Sequence, residues 1–540
     1  MTPVILPDNY YLDYFLRLTE LVRQRYDDLL SATDSEFLRA IDQTDPVALR
    51  LLIRLFLRKG PCFVSAKLHY REVPDGPAAL NRLLEQGLIE ADPMVYAWQL
   101  IDLLPIAQSR QLFSADEPSC RKSDLLARWL NDATVQPCSA WGVTEAIIQP
   151  TGADSYRRLQ LLYFGNERQN LTEFVLEDLG LFQYETYPLD RSNRLFQDAD
   201  DITTTLVLND LADDFYRLCD AKDWPALPDL ATQVLALAPS ERLARRCHRL
   251  LNRIGYRLEQ LGDLDRAQAC FSTNAQPPAR ERLARIAFKR GQYDDCLSQL
   301  ETLAEQPICA DETAFYRRFV NRVRTKLGLA KLTFPLPALT VRQAHWQRTP
   351  GSVETQACEQ LGHAVWLENA LPLGVFGLLY WPLVFADVPG VWQHPFQSGP
   401  SDLYDEDFCA KRQAGFKLLA TQTKAQWRAA LIERWHTKHG LANPFVHWSA
   451  LRLEVVLACF DALTQAQWLG LSTHLLADLR RHRAGFPDLF QYHEDSYCFI
   501  EIKGPGDKLQ DNQIHWLNQF ARLGIHAQVC YVSYDAQPTL

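Results

Sequence analysis

Along most of this chain apolar residues recur at the three- and four-residue spacing of amphipathic helices, and only near residue 490 does the spacing tighten to two. From about 45 to 92 the pattern predicts a helix, a short extended segment and a second helix, in PVALRLLIRLFLRKG, FVSAKLHYREV and AALNRLLEQGLIE. A helical pair follows in LIDLLPIAQSRQLF and KSDLLARWL (Lys122 to Leu130). From about 210 to 330 nearly everything reads as helix, and Gly262-Asp263-Leu264 is echoed 29 positions later by Gly291-Gln292-Tyr293, each glycine separating two helices. Phe334 to Gln347 carries prolines and no clear period, so it reads as a connector. A helical stripe resumes through Val353, Ala357, Leu361, Ala364 and Val365, and Glu368 falls on it, four beyond Ala364. A carboxylate on an apolar face needs a partner.

These elements predict a multidomain, mostly α protein with an α/β domain at its C-terminal end. The expected parts are an N-terminal DNA-binding region over 1–200 with winged-helix-like and SAP-like segments, tetratricopeptide-like helical repeats over 201–333, a connector over 334–351 and a catalytic domain over 352–540. A chain of 540 residues is too long for one core.

Composition narrows the class. At 47% apolar and 23% charged the chain is an ordinary globular protein. Its 13 cysteines stand singly with no CxxC pair, which argues against a disulfide scaffold and predicts a reducing, cytoplasmic setting, nucleoid-associated if bacterial. No secretory signal is visible, so the mature protein is expected to begin near Met1. The uncharged stretch Asn369 to Ala386 approaches the length of a membrane span, but Pro372 and Pro382 interrupt it and Glu368 and Asp387 flank it. A buried core helix is expected there, and no membrane partner. The net charge of −10 excludes indiscriminate coating of nucleic acid, so any DNA contact must use local basic patches.

The chemistry concentrates in two short strands. DLFQY (Asp488 to Tyr492) and SYCFIEIKG (Ser496 to Gly504) flank a turn at His493 to Ser496, a hairpin signature. With those four residues as the loop, Tyr492 faces Tyr497, and counting outward brings Asp488 opposite Glu501. Two carboxylates so placed repel unless a cation neutralises them. Alternation puts Glu501 and Lys503 on one face, with Cys498, Ile500 and Ile502 on the other. Carboxylate oxygens suit a hard cation, Mg²⁺ or Mn²⁺, and an adjacent ammonium suits phosphodiester hydrolysis. In the helix beyond Gly506, Gln513 shares a face with Leu509 and Leu517.

Pro487-Asp488 followed by Glu501-Ile502-Lys503 resembles the PD-(D/E)xK nuclease signature, which implies a restriction-endonuclease-like fold. Its context, RRHRAGFPDLF and FIEIKGPGDKLQDNQIHWLNQF, closely resembles the VRR-NUC domain. The longer chain, including LLYFGNERQNLTEFVLEDLG (Leu161 to Gly180), resembles the Fanconi-anaemia-associated nuclease family in its bacterial form. That resemblance implies Asp488, Glu501, Glu368 and the backbone carbonyl of Ile502 as metal ligands, Lys503 as the catalytic lysine and Gln513 near the metal. It implies a structure-selective nuclease of DNA repair, including interstrand-crosslink processing, acting as a 5′-flap endonuclease and 5′-to-3′ exonuclease of phosphodiesterase I type. The implied partner is DNA as 5′ flaps, branched or nicked duplexes. The ubiquitin-binding zinc finger of animal relatives is not expected, because no CxxC pair exists.

Candidate DNA contacts are Arg480, Arg481, Arg483 and Lys508 beside the motif, and Arg317, Arg318, Arg322 and Arg324 in the repeats, where a patch is expected to grip a 5′-terminal phosphate. Two other readings stay open. One is a Holliday-junction-resolvase-like or restriction-type nuclease with the same core, and the other is a non-catalytic DNA- or protein-binding helical scaffold.

Overall fold

The structure is a computed structural model, and it describes residues 8–534 apart from 118, 131, 275, 335–337 and 495. Asp495 of the expected hairpin loop and 335–337 of the expected connector lie outside the described residues. The chain divides into two compact units, one formed by 1–182, 188–202 and 393–396, the other by 183–187, 203–392 and 397–540.

In the first unit, the expected helix–strand–helix order appears as helix Pro46–Phe56, strand β1 (Phe63–Val64) and helix Gly76–Glu85, followed by β2 (Ile89–Ala91). Asp45 caps the first of these helices through the amides of Val47 and Ala48, and Pro46 occupies its first turn, where a missing N–H costs nothing. Strands β3 (Met94–Tyr96) and β4 (Val135–Pro137) pair with each other, while β5 (Ile147–Pro150) lies between β1 and β2 in an antiparallel sheet, completing a wing. The SAP-like region consists of helices Ala97–Leu103, Ile106–Phe113 and Lys122–Trp129 around Leu100, Leu125 and Phe113.

The second unit opens on the repeats. Helices Glu241–Leu261, Leu264–Ser272, Ala279–Lys289, Tyr293–Glu305 and Ala310–Lys326 stack in succession, and the two echoing glycines both adopt left-handed backbone, Gly262 at φ 88° and Gly291 at φ 75°. This conformation, easy only for glycine, is what the echo encodes. Arg481 pairs with Asp311, and Arg318 with Asp511, so side chains from the repeats reach the C-terminal domain.

That domain is built on a five-stranded sheet of order β6-β10-β9-β8-β7, with β6 at Val341–Trp346, β7 at Ala364–Trp366, β8 at Leu489–Tyr492, β9 at Tyr497–Lys503 and β10 at Ala527–Tyr534. β9 pairs antiparallel with β8 and parallel with β10. On one face Ile500, Ile502 and Leu489 pack with Ala357 of helix Val353–Leu361. On the other, Phe490 and Phe499 join Trp516 and Phe520 of helix Asp511–Arg522 and a helical subdomain rich in buried tryptophan. Each such aromatic contributes roughly 1.5–3 kcal/mol by leaving water.

The connector over 334–351 is corrected, because Val341–Trp346 is an edge strand paired along its length with β10. The helical stripe leading to Glu368 is also corrected: helix Val353–Leu361 stops at Gly362 (φ 63°), and Ala364–Trp366 is strand β7. The apolar stretch after Glu368 is the expected buried helix, Ala370–Leu379, with a short second helix Trp381–Val384 beyond a break at Tyr380. Among the described residues no helix is long and apolar enough to cross a membrane.

Candidate active site

The hairpin register is the one the sequence predicts. Tyr492 faces Tyr497 and Leu489 faces Ile500, so Asp488, one residue before β8, stands level with Glu501. Its carboxylate is held by β9 itself, since the Ile502 amide donates to Oδ2 at 2.7 Å. Its backbone carbonyl accepts from the amides of Leu367 and Glu368, at 3.2 and 3.0 Å. The turn bearing Glu368 is thereby fastened to the aspartate by main chain alone. Glu368 has φ 43°, a left-handed backbone rare outside glycine, and its Oε1 accepts from the Trp366 indole at 2.9 Å.

Glu501 is fully buried, and Lys503 Nζ lies 2.8 Å from its Oε1 as an ion pair. Its Oε2 has no hydrogen-bond partner. Burial pushes the Glu501 carboxyl well above the ordinary range, and the charge of Asp488 adds to it, against the pull of Lys503. Asp488 is raised for the same first reason, opposed by the Ile502 amide and Lys503 and reinforced by Glu354 and Glu368. Glu354 and Glu368 thus add negative charge near Asp488, although Glu368 is exposed and only Glu501 is fully buried. Two adjoining carboxylates raised by burial, with one Glu501 oxygen unanswered, are what a divalent cation would relieve, and an all-oxygen donor set fits a hard one.

Two neighbours carried no signal in the sequence. Glu354 opens helix Val353–Leu361 at an unremarkable polar position. Asn369 accepts from the amides of Gly485 and Phe486 at 2.9 and 3.1 Å, which fixes the approach of the GFPD segment to the site. Gly485 is itself dictated by space, with φ 101° and a missing Cβ that would lie 2.8 Å from the backbone of Asn512.

The remaining candidates are distributed unevenly. Gln513 Oε1 accepts from the Gln510 amide at 2.9 Å and so caps its own helix, away from the hydrogen bonds of the carboxylate group. Arg480 is exposed over the Tyr404 ring, Arg483 donates to the Tyr404 hydroxyl, and Arg481 is committed to Asp311 and Asp478. Lys508 is exposed. Arg317, Arg318 and Arg322 are exposed on their helix, whereas Arg324 donates to the Ala330 carbonyl at 2.6 Å and closes the helix end. A groove of about 570 Å³ runs past Glu368, Asn369, His447 and Arg483.

Comparison with known proteins fits this geometry. Residues 422–534 match the VRR-NUC domain, and residues 9–90 match the FAN1 HTH domain. A Fanconi-associated nuclease 1 homolog of Pseudomonas aeruginosa is 33% identical over 99% of this chain and 97% of its own length. The chain belongs to the Fanconi-associated nuclease family. It is thus a structure-selective DNA nuclease, and membership of the VRR-NUC nucleases implies dependence on a divalent metal. The human Fanconi-associated nuclease 1 is 23% identical over 97% of this chain, which spans 62% of the human protein. A structure of paFAN1 bound to 2-nt 5′-flap DNA with a gap superposes with a TM-score of 0.86 at 30% identity, covering 99% of this chain and 100% of that one.

Proposed function

We propose that this Fanconi-associated nuclease cleaves 5′-flap and related branched or nicked DNA, as flap endonuclease and 5′-to-3′ exonuclease, in DNA repair that includes interstrand-crosslink processing. The observation that carries the reading is the buried Glu501 carboxylate, level with Asp488, with Oε1 in an ion pair with Lys503 and Oε2 unanswered. Asp488, Glu501, Glu368 and the Ile502 carbonyl are the proposed ligands of Mg²⁺ or Mn²⁺. When bound, the cation supplies Lewis-acid stabilisation of charge on the phosphoryl oxygens.

The chain's own residues do the rest. Ile502 holds Asp488 by its amide, so the carboxylate oxygen not engaged there remains to serve as a ligand. Lys503, nearly buried on the Glu501 face, keeps an ammonium where it orients the attacking water and meets charge developing on the scissile phosphate. Arg480, Arg483, Lys508 and the exposed Arg317, Arg318 and Arg322 are proposed phosphate contacts, which hold a strand in register without reading its sequence. Gln513 enters only through its amide nitrogen, because its oxygen is spent on the cap.

The fitting experiment incubates the purified chain and its Glu501→Ala variant with labelled 5′-flap, nicked and four-way DNA, with and without Mn²⁺. Metal-dependent incision near the 5′ end of flaps, lost in the variant, is expected. Preferred symmetric cutting of four-way junctions, or full activity in the variant, would overturn the assignment.

A further inference from the structure

Outside the carboxylate group, three histidines converge where three helices meet. His474 lies on helix Gln465–Ala477, His482 ends helix Leu479–His482, and His515 lies on helix Asp511–Arg522. One ring nitrogen from each falls within 4.8 Å of the others. His474 Nε2 and His515 Nε2 face each other at 2.6 Å. His482 Nδ1 is 2.7 Å from the His474 carbonyl, and a carbonyl can only accept, so Nδ1 carries the proton and Nε2 keeps its lone pair. That Nε2 is buried and has no hydrogen-bond partner, in a side chain 6% exposed. Sharing one proton between His474 and His515 satisfies those two rings and leaves His482 unanswered. An ion between the rings answers all three.

We propose that His474, His482 and His515 form a transition-metal site, separate from the catalytic carboxylates, that takes zinc or an ion of similar preference. Imidazole nitrogens suit such ions, and a hydrogen bond from the other ring N–H to a backbone carbonyl, as His482 Nδ1–H makes to His474, is the usual way of fixing a ligating ring. Three nitrogen donors with no carboxylate oxygen among them suit an ion held by nitrogen donation and not Mg²⁺. Tetrahedral ligation at roughly 2.0–2.1 Å requires nitrogens about 3.3 Å apart, so the His474 and His515 rings swing apart by under about 1 Å and the widest-spaced nitrogens, now within 4.8 Å, close by up to about 1.5 Å.

The consequence is positional. Helix Leu479–His482 leads directly into Gly485-Phe486-Pro487-Asp488, and the His482 carbonyl already accepts from the Trp516 indole at 3.0 Å. The ion would staple that segment to helix Asp511–Arg522, holding the approach to Asp488 from behind.

The test uses the full chain in a Glu501→Gln background, freed of metal with a chelator and titrated with Co²⁺ or Zn²⁺ alone. Expected are one equivalent of Co²⁺ with the intense visible absorption of a nitrogen-ligated tetrahedral ion, and a rise in melting temperature with Zn²⁺. His482→Gln and His474→Gln should each weaken binding roughly tenfold or more. X-ray absorption at the zinc edge, on protein retaining all three histidines, should report three imidazole ligands and needs no folded variant. No bound ion, an oxygen-only shell, or unchanged affinity in folded histidine variants would overturn the site. Because cleavage is not read, the outcome is independent of the nuclease assignment.

Discussion

The amide of Ile502 donates to Asp488 Oδ2 at 2.7 Å, so the strand that carries Glu501 and Lys503 also aims the aspartate opposite them. Asp488→Asn keeps an acceptor for that amide and loses the charge. Cleavage should fall by roughly 10²–10³-fold or more, while the denaturation midpoint stays near wild type. Asp488→Ala should lose as much activity and also about 1–3 kcal/mol of stability, since the Ile502 amide is left unpaired. Paired nuclease and urea-unfolding assays check both, and equal midpoints for the two variants would contradict the argument.

Glu368, a proposed ligand, stands on a turn fastened to Asp488 by main chain, its exposed side chain bonded to the Trp366 indole. Glu368→Gln retains that fastening and an acceptor for Trp366, so only the charge changes. Apparent affinity for Mn²⁺ should drop by about tenfold with the fold intact. Wild-type rates at limiting Mn²⁺ would remove Glu368 from the ligand set.

The raised carboxyls set a pH dependence of stability in the ion-free protein. Asp488 and Glu501 titrate above their unfolded values of roughly 3.9 and 4.3 when folded, so the native state binds more protons than the unfolded chain. Their contribution is complete below the unfolded values and is lost as pH rises through the folded ones. Denaturation midpoints in chelator should therefore decline over that interval, and Glu501→Gln or added Mn²⁺ should flatten the decline. A midpoint that climbs with pH in that window would count against the shifts.

Gly485→Ala places a methyl 2.8 Å from the Asn512 backbone in a conformation that alanine resists. The expected cost is about 1–3 kcal/mol, together with a loss of activity as helix Asp511–Arg522 is pushed away from the site. Thermal unfolding and flap cleavage measure the two effects.

The catalytic hairpin was legible because a four-residue turn and a period of two leave one register, the one that puts Glu501 and Lys503 on a shared face. The helix leading to Glu368 was misread because Ala364 and Val365 extend the apolar stripe of Val353, Ala357 and Leu361, while the stop is made by backbone at Gly362. The strand Val341–Trp346 was invisible for another reason. It is an edge strand that buries only Ala344, so its pairing with β10 rests on backbone hydrogen bonds that leave no hydrophobic pattern. Gln513 shares a face with Leu509 and Leu517 in the sequence, but its carbonyl goes to the helix cap, which side-chain spacing does not reveal. The three histidines are eight and thirty-three positions apart along the chain and belong to no spaced motif; only the packing of three helices joins them.

Sheet order also sets when the strand bearing Glu501 and Lys503 gains its second neighbour. β9 lies between β8 and β10, and among the described residues β6 pairs with β10 alone, whose residues follow it in sequence by nearly the whole length of the domain. During synthesis the ribosome thus releases Asp488, Glu501 and Lys503 before the strand that supports them from the other side. The β6–β10 pairing closes a loop of nearly the whole domain, so it forms last. A chain lacking Ala527–Tyr534 would keep the β9–β8–β7 pairing and every proposed ligand, but Glu501 and Lys503 would then lie on an open sheet edge.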